Sequence, residues 1–127
     1  MSKKVSKRQV AAALRRARNL IKQGFTKQQF SGKDFSRWDT KTGAFTETFC
    51  TIGAINRVDG PAEAGAKKAI YRAVTELFYP NSKRGITRDE QIFRFNDRKK
   101  TTQADVVRAF DRAIEIVLQP DEEPAAQ

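Results

Sequence analysis

Apolar residues recur at helical spacing through most of the chain and lose that period in one stretch. Val10, Ala13, Leu14, Ala17, Leu20 and Ile21 fall three, four and seven positions apart, which places them along one side of an α-helix. Ser6-Lys7-Arg8-Gln9 ahead of them has the form of a capping box. The pattern predicts a first helix over 7–23, stopped by a left-handed cap at Gly24. Residues 25–48 carry no helical period. They hold Phe25, Phe30, Phe35, Trp38 and Phe45, and Asp39-Thr40-Lys41-Thr42-Gly43 reads as a hairpin tip. Two short strands are expected, Phe35 to Trp38 and Ala44 to Thr46, with the aromatics inserted over the helices as a lid.

Thr46 then caps a second expected helix over 47–57, with Phe49, Ile52 and Ile55 in line and Cys50 and Ala54 beside them. Gly53 in its middle costs about 1 kcal/mol relative to alanine, so it implies a close approach by another element. Asp59-Gly60-Pro61 makes a turn that puts Pro61 at the first position of a third helix. There Ala62, Ala66, Ala69, Ile70, Ala73, Val74, Leu77 and Phe78 form a long stripe that Pro80 ends. Thr87-Arg88-Asp89-Glu90 is a second capping box, opening a short helix with Ile92, Phe93 and Phe95. A last helix starts at Thr101 or Thr102 and keeps Val106, Phe110, Ala113, Ile114 and Val117 in line until Pro120. The fold class that follows is mainly α, with four to five helices around one core and a small β-hairpin or aromatic loop. Residues 1–5 read as a basic flexible arm, 6–118 as a single helical domain and 119–127 as an acidic flexible tail.

Composition narrows the chemistry. No run approaches 18 apolar residues and the basic start leads into no long apolar segment, so neither a membrane span nor a signal peptide is expected and the protein reads as cytoplasmic. One cysteine rules out an internal disulfide. The absence of histidine removes the usual zinc ligand, the usual general base and the Ser-His and Cys-His nucleophile pairs. No enzyme activity, cofactor or metal is expected. The net charge of +10 is unevenly spread. Residues 1–33 hold ten basic residues and no acidic one, so the remaining fifteen of each sign in residues 34–127 cancel. On the first helix Lys4, Arg8, Arg15, Arg18 and Lys22 gather within about 80° of one another, opposite the apolar arc.

Several residues have a sharper and a plainer reading. Cys50 is a nucleophile only with a base or cation beside it, and reads instead as a small buried apolar residue. Asn96-Asp97 fits turn and cap hydrogen bonds better than a ligand or metal site. Asp34, Asp39 and Glu47 have no spacing specific to a carboxylate pair or a magnesium site. Trp38 is a candidate for partner binding, as a contact for bases or for a protein. Arg98-Lys99-Lys100 precedes the last helix, where the macrodipole disfavours cations; it is either an anion site or a solvated linker.

Phe49-Cys50-Thr51-Ile52-Gly53-Ala54-Ile55 and Phe95-Asn96-Asp97 together resemble a family of small uncharacterised proteins from actinobacteria and their phages. The similarity covers about residues 10–118, with Phe25 and Phe95 where that family's tryptophans are expected. It implies a compact helical fold and a phage origin, and no activity. The function expected from the residues themselves is non-enzymatic binding of nucleic acid, DNA or RNA and mostly sequence-independent. Lys3, Lys4, Lys7, Arg8, Arg15, Arg18 and Lys22, with Arg98, Lys99 and Lys100, would meet phosphates. The alternative is a phage-encoded adaptor or inhibitor that grips an acidic surface of a host protein with the same stripe. A membrane-surface role fits less well, because the apolar side of the first helix has no aromatic anchor.

Overall fold

The computed structural model describes residues 5–27, 31–41, 43–58, 60–80 and 88–119. Helix α1 spans Lys7–Gln23, as its periodicity predicts. Its capping box is formed in both directions: Ser6 Oγ accepts from Gln9 N–H at 3.1 Å and Gln9 Oε1 accepts from Ser6 N–H at 2.8 Å. Gly24 ends the helix, but not as a left-handed cap. Its φ is −175°, extended backbone, and its N–H donates to the Leu20 carbonyl at 3.1 Å. Glycine is needed here for space. A Cβ at this position would lie 2.7 Å from Thr48 Cγ2 and 2.9 Å from the Glu47 carbonyl oxygen.

That close approach carries the chain into an antiparallel hairpin of β1 (Ser31–Asp39) and β2 (Ala44–Phe49). Both strands are longer than the aromatic pattern indicates. Ser31 pairs with Phe49 and Asp34 with Thr46, and after an irregularity Trp38 pairs with Phe45. The tip contains Gly43 at φ 68°, the left-handed conformation that glycine adopts without steric cost. β2 also touches the end of α1: Phe49 N–H donates to the Gly24 carbonyl at 2.8 Å, and Thr26 N–H to the Phe49 carbonyl at 3.0 Å.

This pairing overturns the second helix expected over 47–57. Residues 47–49 are strand, because their backbone groups find partners on β1 and at residues 24–26, and α2 begins later, at Thr51–Val58. Cys50 precedes α2 rather than lying within it, and its Sγ accepts from Gly53 N–H at 3.2 Å in the manner of a cap. The turn before α3 (Glu63–Phe78) uses Gly60 at φ 103°, and Pro61 falls in that turn, with Ala62 as the N-cap. Helix α4 spans Arg88–Asp97; Thr87, expected to cap it, lies outside the described residues. Helix α5 spans Gln103–Leu118 and Thr102 caps it, with Asp105 completing the box.

The fold is therefore mainly α: among the described residues, five helices pack around a core with a hairpin at one side. Leu14, Ile21, Ile55, Ile70, Ile92, Phe95, Val106 and Phe110 are fully buried in that core. Alanines 11, 13, 17, 66, 73, 109 and 113 are also fully buried and let the backbones approach closely. Helix α5 runs antiparallel to α1, as the pairs Lys7 with Gln119, Arg18 with Asp111 and Ile21 with Gln103 show. Val5, expected in the arm, packs against the edge of the core.

Asn96 and Asp97, expected in a turn, are the last two residues of α4. Asn96 is 1% exposed. Its Oδ1 accepts from Thr51 N–H at 2.8 Å and from Thr51 Oγ1 at 2.6 Å, and its Nδ2 donates to the Thr26 carbonyl at 3.2 Å and to Asp97 Oδ1 at 3.0 Å. One side chain thus joins the end of α4, the start of α2 and the segment after α1.

Candidate nucleic-acid interface

The cations of α1 divide according to what packs beside them. At 100° per residue Ala11 and Arg18 are only about 20° apart, and Ala11 is fully buried. The core-facing side therefore reaches the edge of the basic stripe, because α5 lies over it. Arg18 sits at that edge: its side chain is 23% exposed and Nη1 donates to Asp111 Oδ1 at 2.9 Å. Arg8, Arg15 and Lys22, farther round the helix, are exposed and have no ion-pair partner among the described residues. Arg16, which the stripe did not include, is exposed in the same way. Lys7 turns aside, its Nζ donating to the Gln119 carbonyl at 3.1 Å. Lys3 and Lys4 lie outside the described residues, as does the side chain of Trp38.

The second basic cluster is not gathered into one site. Arg98 is partly buried, its Nε donating to Thr101 Oγ1 at 3.1 Å and its guanidinium 5.5–5.9 Å from the ring centres of Phe78, Tyr79 and Phe95. That geometry is a cation–π clamp on the junction of α3 and α4. Lys99 and Lys100 are exposed beside it. The start of α5 already holds a carboxylate, since Asp105 Oδ2 accepts from Thr102 N–H at 3.1 Å. An external anion would have to compete with that cap.

The acidic candidates also remain apart. Glu47 Oε1 accepts from Arg57 at 3.5 Å, and the side chains of Asp34 and Asp39 lie outside the described residues. Among the described residues no His, Cys, Asp and Glu cluster has metal-binding geometry, and no helix is long and apolar enough to cross a membrane. Cys50 is 2% exposed, and burial pushes its thiol above the ordinary range against the opposing pull of backbone N–H groups. A thiol held protonated is a poor nucleophile.

Two further cations belong to a different surface. Lys68 and Arg72, exposed on α3, line a groove with Lys7. Their four-residue spacing was the available signal, but only the packing of α3 against α1 and α5 brings Lys7 to them.

What this arrangement defines is a small helical domain whose exposed basic face lies on its first helix. By sequence it belongs to DUF6197, a family of unknown function, whose model matches residues 5–116. No curated protein and no solved structure matches the chain.

Proposed function

We propose that this protein binds nucleic acid without catalysis, laying Arg8, Arg15 and Lys22 of α1 along a phosphate backbone while Lys3 and Lys4 add contacts from the basic arm. The observation that carries the reading is the charge segregation: ten cations and no anion in residues 1–33 against a body of zero net charge. Like charges within one segment repel one another, and phosphates along Arg8, Arg15 and Lys22 relieve that repulsion. α1 also opens with Lys7 and Arg8 and has no acidic residue in its first turn, where the macrodipole disfavours cations. Contacts of lysine and arginine with phosphates position a protein without reading bases, so binding is mostly sequence-independent. In this reading the protein acts in the cytoplasm of an actinobacterial cell, its own or one that a phage has entered.

Titration of labelled duplex and single-stranded DNA and RNA at several salt concentrations tests it. Five phosphates neutralised give a log–log salt slope of about −4 to −5. Replacing Arg8, Arg15 and Lys22 together by alanine lowers the magnitude of that slope by about 3. No binding by micromolar protein at low salt overturns the proposal.

A further inference from the structure

A groove of about 740 Å³ opens where the start of α1 meets α3 and the end of α5. Val10, Ala69 and Ile116 form apolar walls, and Lys7, Lys68 and Arg72 supply the charge. None of its described lining residues is acidic. Glu76, one turn beyond Arg72, is committed to Arg112 by a two-point hydrogen bond. Gln119 closes the rim, and its carbonyl accepts from Lys7 Nζ. The residues that follow are Pro120-Asp121-Glu122-Glu123-Pro124.

We propose that this groove is a docking site for an acidic peptide segment and that its occupant is this chain's own Asp121-Glu122-Glu123. Three carboxylates meet three cations. The path is short: two to four residues beyond Gln119 reach about 7–14 Å when extended, on the scale of the groove itself. Pro120 and Pro124 narrow the backbone freedom that docking must remove. A single exposed ion pair adds little, but a short tether holds the segment at an effective concentration of about millimolar, so three weak pairs act together. Lys7 and Arg8 differ by about 100° round α1, so a docked segment leaves Arg8, Arg15 and Lys22 uncovered. The inference is independent of the nucleic-acid reading and stands or falls separately from it.

A nitroxide on the full chain at Ala126→Cys reads the docking by paramagnetic broadening of amide signals; Cys50, being buried, leaves the label at one position. At low salt the Gly65 and Lys68 amides broaden, while Lys22, about 22 Å farther along α1, does not. The broadening is lost at about 1 M salt, where screening acts within about 3 Å, and in D121N/E122Q/E123Q. K68E/R72E also loses it, and adding D121K/E122K/E123K to that variant restores it. Unchanged helical circular dichroism in each variant shows that the fold is intact. Absence of broadening at Gly65 and Lys68 at low salt, or its persistence in the neutralised segment, overturns the proposal.

Discussion

Asn96 does the most with the fewest atoms. Each of its side-chain polar atoms has two partners, and Thr51, which donates to Oδ1 through both its N–H and its hydroxyl, is fully buried. Asn96→Ala leaves the buried Thr51 N–H and hydroxyl without the acceptor that Asn96 Oδ1 provides, and should lower the unfolding free energy by about 2–4 kcal/mol in a urea titration. Asn96→Asp keeps the acceptor but sets a second carboxylate beside Asp97. Its deficit relative to wild type should shrink as pH falls and that carboxylate protonates. Cys50 gives the opposite dependence. Its folded-state pKa is raised by burial above the reference value of 9.0, so the folded protein holds that proton more tightly than the unfolded chain. The stabilisation is present below pH 9 and lost as pH rises through the folded value. Cys50→Ser, which keeps an acceptor for Gly53 N–H and does not titrate there, should show a smaller loss of melting temperature above pH 9 than wild type.

At the scale of elements, helix ends written in local chemistry were legible and ends set by contact were not. Ser6 with Gln9 and Thr102 with Asp105 cap their helices as their residue types require, because the bonds lie within three residues. The boundary between β2 and α2 depends on partners some 20 residues away, so local spacing placed Phe49 and Cys50 on a helix that begins only at Thr51. Gly24 shows the same division. Its position was readable as a stop, while its reason is the backbone of β2. Gly24→Ala must displace the Glu47 carbonyl, a backbone atom that cannot rotate away, and should cost about 1–3 kcal/mol. Gly65→Ala meets only a Val10 methyl at 2.9 Å and gains helix propensity of about 1 kcal/mol. A thermal melt should rank Gly24→Ala as clearly the less stable of the two.

For the whole molecule, the packing of α5 on α1 decides which cations face outward. Arg18 belongs to the basic stripe by its angle, yet it is held by Asp111 at the seam. Arg18→Ala should therefore leave the salt slope for nucleic-acid binding near the wild-type value, whereas Arg15→Ala should reduce its magnitude by about 1. Equal effects of the two would contradict the division of the stripe. The sequence by itself determined the helical period of α1, α3 and α5, the caps at Ser6 and Thr102, the hairpin tip and the placing of all net charge in residues 1–33, because these depend on residue type and near neighbours. Only the tertiary structure decided the rest. It assigned Arg98 to an aromatic clamp, Asn96 to a buried junction, and Lys7, Lys68 and Arg72 to one groove. Those outcomes need residues 20 to 112 positions apart in sequence to meet, and spacing along a chain does not encode which surfaces will be pressed together.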